Sequence, residues 1–561
     1  MVLHPNQFCV ASGQASGTSR QETAAHIRIW DARSLVTYAI LGFGIFHVAV
    51  GSLAFSVESD GQYLLAIDES EKHVLSVWAW QEEQLVVKSS TTTDTVVWGT
   101  FHPLDDRIII TYGKQHIFFW KIFYDSSSPT RILRDKLSGI FQGEVPKFVT
   151  SVCFTPDGDV LSGDSNGNIT LWSQDNSGAF SVSKRQTSNM RQAHRKSVFC
   201  LHMFSDGTFV SGGGHEIKKW DRQYKCKETK KLPEQYGFVR TLIPAKEDLV
   251  NSGLYVGTTK NCLLDGNWNE KFRVVIVGHS EELWALSSHP QEHTFVTAGY
   301  DHSVCKWSAV SHKLIWKIVI EKPCLSVCHN NTGDLLVIGT TEGQFMVMDA
   351  NDGSHVATIQ VGHGAVDSTK FSPDGRLLAM GAQDGNIYIY SVADGGHFFR
   401  KYRDGSLKGH KNFVMQIDWS EDSEYIQSVS GDYDLMFWNI YEMRREQDPA
   451  VIRDISWATQ SCVLGYSTAG AWTHLEDDGE DINIVCKSSY EDYLAVGDNQ
   501  GALRIFKYPT SASQPDFYEK KVYSSHVTNV KFMFDDSYLL STGGIDAGLM
   551  QWVLVDSKTP R

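Results

Sequence analysis

The sequence predicts an all-β protein built from repeated four-stranded units, and three observations carry that prediction. Residues 278 to 308 read GHSEELWALSSHPQEHTFVTAGYDHSVCKWS, a Gly-His opening with Trp307 as its close. Within it, runs around Leu283 to Ser287 and Thr294 to Ala298, and a third ending on Trp307, alternate apolar and polar residues with period two. Second, such closing positions recur along the chain, at Trp30, Trp78, Trp120, Trp172, Trp220, Asp265, Trp307, Met348, Tyr390, Trp438, Trp472, Phe506 and Trp552. Third, no stretch has the length or heptad period of a coiled coil. A period in the forties with four strand-sized runs per unit is the mark of a WD-type β-propeller.

At 561 residues the chain exceeds one ordinary core. About thirteen units suit two packed rings: a first propeller over 1–270 and a second over 271–561, six units preceding residue 270 and seven following, with the junction near 266 to 278. The chain opens in mid-repeat: His4-Pro5 and Ala11-Ser12-Gly13-Gln14 resemble the centre of a unit and Ile27 to Asp31 its close. No opening strand is expected before them, so the first propeller is expected to be incomplete at its N-terminus.

Each full unit implies a buried polar network. In the unit of residues 278 to 308, His279, Thr297, Asp301 and Trp307 are its members, the Asp accepting from His and the indole N–H finding a hydroxyl. A buried Asp or His without partners is costly, so the set is all-or-nothing. Residues 409 to 440 carry an equivalent set, His410, Ser428, Asp432 and Trp438, and removal of Asp432 is expected to orphan His410. Residues 525 to 552 carry His526, Thr542, Asp546 and Trp552. Residues 362 to 392 keep His363 and Asp384 but end on Tyr390; residues 193 to 221 keep His194 and Trp220 without an Asp at the turn. Residues 238 to 266 and 449 to 474 are degenerate.

Turn chemistry fits between the runs. Pro156-Asp157-Gly158 and Pro373-Asp374-Gly375 join strands, and Asn166-Gly167-Asn168 and Asp384-Gly385-Asn386 form hairpins. Ser126 to Pro129 and Pro509 to Pro515 read as irregular loops. Residues 476 to 481, EDDGED, lack the alternating ligand pattern of a calcium loop and read as a solvated acidic loop.

Composition narrows the function classes. The net charge of −15 argues against nucleic acid as the main partner. The densest basic cluster, Lys225, Lys227, Lys230 and Lys231, reads as a solvated loop. Ten scattered Cys read as small buried hydrophobes in a reducing compartment. Cys324-x-x-x-Cys328-His329 fits neither haem attachment nor a zinc site, so no metal or cofactor is expected. The uncharged stretch Tyr38 to Phe55 has the length of a membrane span, but its Gly, His and Ser residues favour two strands joined by a Gly-rich turn. The N-terminal MVLHPNQFCV lacks the pattern of a signal peptide.

Catalytic motifs are not found. There is no GxxxxGK[ST], GxSxG or HExxH; His289-Pro290-Gln291-Glu292-His293 has the wrong order. The chain is expected not to be an enzyme.

Several stretches are more specific than generic repeats: HPNQFCVASGQASGTS at 4 to 19, HVLSVWAWQ at 73 to 81, PKFVTSVCFTPDGDVLSGDSNGNITLW at 146 to 172, and GHSEELWAL at 278 to 286. To these add SPDGRLLAMGAQDGNIYIY at 372 to 390, SVSGDYDLMFW at 428 to 438 and RDISWATQSCVLGY at 453 to 466. SSHVTNVKF and STGGIDAGLMQW, within 524 to 552, complete the set. Through them the chain resembles the echinoderm microtubule-associated protein-like family over almost its whole length. The resemblance implies a tandem propeller pair that binds tubulin and microtubules in the cytoplasm and cytoskeleton, at the spindle or cilium in some settings, with other cytoskeletal or signalling proteins as further partners. The family's N-terminal coiled coil, basic Ser-rich region and hydrophobic motif are not in this sequence, and a monomer without membrane or nucleic-acid contact is expected. A general WD-type scaffold for signalling or ciliary proteins is the alternative reading; a tubulin pull-down separates the two.

Overall fold

The structure, a computed structural model, describes residues 1–16, 24–123, 132–175, 178–245, 253–474 and 481–555. The expected loop at 126 to 129 and all but the end of the acidic stretch 476 to 481 lie outside the described residues.

The period-two runs become twelve antiparallel sheets among the described residues, eleven with four strands and one with three. Strands neighbour one another in chain order, as short polar turns dictate. The chain divides into two compact units, Met1–Ile276 and Val277–Arg561.

Each unit is held together between sheets as well as within them. Apolar side chains from one sheet pack on the next: Leu65, Leu75 and Val77 meet Ile109, Trp120 and Ile122 in one continuous cluster. Each such buried side chain contributes roughly 1.5–3 kcal/mol relative to exposure. A repeating hydrogen bond ties the innermost strands: Ser151 Oγ donates to Val198 O at 2.8 Å, and Ser326 Oγ to Val366 O at 2.9 Å. His102 contributes a second kind of tie, its Nε2 lying 2.8 Å from Gly158 O in the adjacent sheet's turn.

In the second unit the last sheet returns to the first. Thr528 Oγ1 donates to Leu283 O at 2.5 Å, Leu283 N to Gly544 O at 3.3 Å, and Gln551 Nε2 to Ala309 O at 3.0 Å. Leu286, Phe295, Met533 and Leu540 fill the seam. In the first unit, the sheet opening with Val239–Pro244 and Leu254–Thr258 keeps one face uncovered. Ile243 is 59% and Tyr255 42% exposed, whereas the corresponding second strands Val160–Asp164 and Phe209–Gly213 are buried throughout.

Four sequence expectations change here. A two-residue opening strand, Val2–Leu3, does precede Cys9–Gly13 and pairs with it. Trp472 closes no strand. It lies in a 3-10 turn, Ala469–His474, and its Nε1 donates to Val463 O at 2.8 Å. The unit expected over 449 to 474 is therefore no sheet; a short helix, Pro449–Arg453, and an irregular segment take its place. That segment wedges between the sheets on either side: Ala458 N donates to Trp419 O at 3.0 Å, and Cys462 and Val463 share a core with Val429, Ile482 and Val485. Lys227, Lys230 and Lys231 sit on an outer strand, Cys226–Lys231, with Lys225 just before it, rather than in a loop.

The stretch Tyr38 to Phe55 forms two strands, Thr37–Leu41 and Val50–Phe55, around a turn containing Gly42 and Gly44. Among the described residues no helix is long and apolar enough to cross a membrane.

Candidate functional site

The unit of residues 278 to 308 assembles a directed chain of hydrogen bonds. Trp307 Nε1 donates to Thr297 Oγ1 at 2.8 Å, that hydroxyl lies 2.9 Å from His279 Nε2, and His279 Nδ1 lies 2.9 Å from Asp301 Oδ1. The carboxylate can only accept, which puts the imidazole proton on Nδ1 and leaves Nε2 to accept from Thr297. Asp301 also accepts from Ser280 N and Ser303 N at 3.1 Å. Burial raises its pKa, but these donors outweigh burial and hold it below the usual carboxylate range.

The other two expected sets assemble differently. His410 Nε2 lies 2.7 Å from Ser428 Oγ, to which Trp438 Nε1 donates at 2.8 Å. Asp432 stays outside: it is exposed, it accepts from Ser430 Oγ at 2.5 Å, and His410 Nδ1 has no hydrogen-bond partner. Burial pushes the His410 pKa down, which keeps the ring neutral.

In the final sheet the ring position belongs to Tyr523. Its hydroxyl lies 2.8 Å from Ser541 Oγ and donates to Ser541 O at 2.8 Å, and Trp552 Nε1 donates to Ser541 Oγ at 2.9 Å. His526 Nε2 has no partner. Thr542 bonds Thr528 Oγ1 at 2.9 Å, and Asp546 accepts from Ser524 N and Ser525 N at 2.9 and 3.0 Å. The residue four before the inner strand supplies the ring: His279 before Leu283, His410 before Val414, Tyr523 before Val527. By that spacing His363 is one place too late. It is exposed, Gly362 holds the position, and Tyr388 reaches in with its hydroxyl to Asp384 at 2.6 Å. Sequence reasoning also missed Glu216, whose carboxylate lies 3.3 Å from His194 Nδ1 where no turn Asp exists. Burial, aided by Lys218, pushes the His194 pKa down to about 4.

The most heavily bonded carboxylate had no sequence signal. Asp418 on the strand Val414–Trp419 is fully buried and receives Lys370 Nζ at 2.6 Å, Thr459 Oγ1 at 2.5 Å, Ser461 Oγ at 2.9 Å and Gln427 Nε2 at 3.2 Å. The backbone N–H groups of Ser461 and Cys462 donate to it at 2.9 and 2.8 Å. Burial raises its pKa; Lys370 and the other donors more than reverse this and lower it to about 2. These contacts fasten the 455–472 wedge to the second unit.

No Cys is in a disulfide; Cys9, Cys200, Cys262, Cys305, Cys324 and Cys462 are buried, and burial pushes the thiols of Cys305 and Cys324 up to about 12. Among the described residues no cluster of His, Cys, Asp and Glu has the geometry of a metal site.

Fold and networks together define a tandem WD-type propeller protein. Profiles described as the echinoderm microtubule-associated protein first and second β-propellers match residues 1–266 and 283–554. The chain is 37% identical over 561 residues to Echinoderm microtubule-associated protein-like 1 of Homo sapiens, covering 99% of this chain and 66%, just under two thirds, of that protein. It is 38% identical over 557 residues to Echinoderm microtubule-associated protein-like 2 of Mus musculus, covering 98% and 83%. It is 38% identical over 558 residues to the 77 kDa echinoderm microtubule-associated protein of Strongylocentrotus purpuratus, covering 99% and 78%. The chain belongs to the echinoderm microtubule-associated protein family.

Proposed function

We propose that this chain binds tubulin and microtubules through propeller surfaces and organises microtubules without catalysing a reaction. One observation carries the reading: the likeness to proteins named for microtubule association runs through both propellers and 98–99% of this chain. Physical chemistry supports it. Buried polar side chains form structural bonds, within a blade as in Trp307–Thr297–His279–Asp301 and between neighbouring sheets as in Ser151 to Val198 O, which stiffen the propellers and leave variable loops for binding. The protein acts in the cytoplasm on the cytoskeleton, as a monomer, with neither nucleic acid nor membrane as partner. The test is a pull-down of purified tubulin dimers by the full chain. Retention of tubulin supports the reading; retention of signalling or ciliary proteins from extract with no tubulin would replace it with the scaffold reading.

A further inference from the structure

The charge of this chain is unevenly placed. Residues 184–231 hold twelve Lys and Arg against four Asp and Glu, a formal +8 inside a chain of −15. Lysines on the outer strand Cys226–Lys231 have an ordinary explanation, since charged edges discourage strand-to-strand aggregation. That explanation does not cover the loop before the inner strand Val198–Met203, where Arg191, Arg195 and Lys196 are all exposed. Three nearby cations are paired: Lys227 with Asp221 at 2.9 Å, Lys218 with Glu216 at 3.3 Å, and Arg185 with Asp159 of the preceding sheet. Arg191, Arg195 and Lys196 form no ion pair with any described residue.

The same loop borders a cavity of about 500 Å³. Gln142, Asn166, Gln192 and Arg191 line it. Asp164 lines it too, but its carboxylate already accepts from Asn166 N, Asn168 N and Asn168 Nδ2 at 2.8, 2.9 and 3.0 Å. The loop is held in place by backbone contacts: Gln192 N donates to Asn168 Oδ1 at 2.8 Å and His194 N to Gly167 O at 3.0 Å. Side-chain amides match the donors and acceptors of an extended peptide backbone, and Arg191 in the lining, with Arg195 and Lys196 further along the same loop, matches carboxylates.

We propose that this cavity and the 191–196 loop form a docking site for an extended, glutamate-rich peptide segment of a partner. The inference deepens the tubulin reading and rests on it for the identity of the partner, because the microtubule surface is acidic. A polypeptide is favoured over nucleic acid because amides line the seat and the chain outside this blade is strongly negative, so only a short acidic segment gains from the local field. Glu144 also lines the cavity and opposes such a ligand.

The test uses the full chain, a fluorescein-labelled Glu-Gly repeat peptide read by anisotropy, and tubulin dimers read by pull-down. Arg195→Glu with Lys196→Glu is expected to weaken peptide binding about tenfold or more, through like-charge contact, and to reduce tubulin capture. Lys225→Glu with Lys231→Glu makes the same change in net charge away from the cavity and is expected to have a much smaller effect. Glu144→Gln is expected to tighten peptide binding. All are exposed positions, and unchanged thermal melting confirms folding. Equal losses from the two double variants, no peptide binding by the unaltered chain, or equal binding of a single-stranded oligonucleotide would overturn the proposal. If the unaltered chain captures tubulin and the Arg195→Glu, Lys196→Glu variant captures it equally, the docking site is wrong while the tubulin reading stands. If the unaltered chain captures no tubulin, that reading fails and the peptide arm alone decides the site.

Discussion

Replacing Asp418 with Ala should release the 455–472 wedge from the second unit. Six donor groups converge on this carboxylate, those of Lys370, Gln427 and Thr459, the Ser461 hydroxyl, and the backbone N–H groups of Ser461 and Cys462. Removing it leaves the buried N–H groups of Ser461 and Cys462 without this acceptor and the Lys370 ammonium with only the Thr459 and Ser461 hydroxyls, each at 2.8 Å, and no counter-charge. Breaking a buried pair by deleting one partner costs about 3–5 kcal/mol. An independent figure comes from titration. The carboxyl is held at about 2 against an ordinary 3.8, which corresponds to roughly 2.5 kcal/mol favouring the ionised form. Its folded pKa is depressed, so that contribution is present above about pH 4 and is lost as pH falls through about 2. Asp418→Ala should therefore cost about 3–5 kcal/mol. Lys370→Met should cost less, because five donors still hold the carboxylate. Hydrogen exchange of the intact chain read by mass spectrometry is the assay, with urea unfolding alongside. Protection over 456–463 should fall in Asp418→Ala before the flanking strands Val414–Trp419 and Ile482–Lys487 open. Unchanged protection in the wedge together with an unchanged urea midpoint would refute the reasoning.

Two further predictions concern polar groups. Asp301→Ala should cost about 2–4 kcal/mol by orphaning His279 and two backbone donors, while Asp432→Ala should cost far less because its carboxylate touches only Ser430; equal urea midpoints for the two would contradict this. Asp367 is half-buried with one carboxylate oxygen unpaired, and burial raises its pKa to about 7. Its folded form binds a proton more readily than the unfolded chain, so its contribution worsens as pH rises from about 4 to 7. Asp367→Asn should stabilise the protein at pH 8 by roughly 1–2 kcal/mol after allowance for solvent and change little below pH 4; melting at the two pH values checks it.

The repeat was legible because strand alternation, Gly-His openings and Trp closings are local signals. Trp307 and Trp438 fall ten residues after their hydroxyl partners, whereas Trp552 falls eleven after its own. The turn Gly544 to Gly548 is one residue longer, so Trp552 meets Ser541 rather than Thr542. His526 has the residue type of a ring member but sits directly before Val527, whereas His279 sits four residues before Leu283. Trp472 misled for a related reason: an indole closing a wedge looks, in sequence, like an indole closing a strand. Asp418 could not be read at all, since Lys370, Thr459 and Ser461 lie 41 to 48 residues away. Lys225 to Lys231 show that a charged run reports exposure but not whether the backbone beneath is loop or edge strand.

The most direct measurement is sedimentation velocity of tubulin dimers with the full chain across a series of KCl concentrations. This chain carries a net −15 and the microtubule surface is also acidic, so the proposed binding would rest on a local basic face, and exposed charges are screened within about 8 Å at physiological ionic strength. A faster-sedimenting complex is expected at low salt, with a population that falls steadily as KCl rises. No complex at any salt, or a complex indifferent to salt, would contradict it.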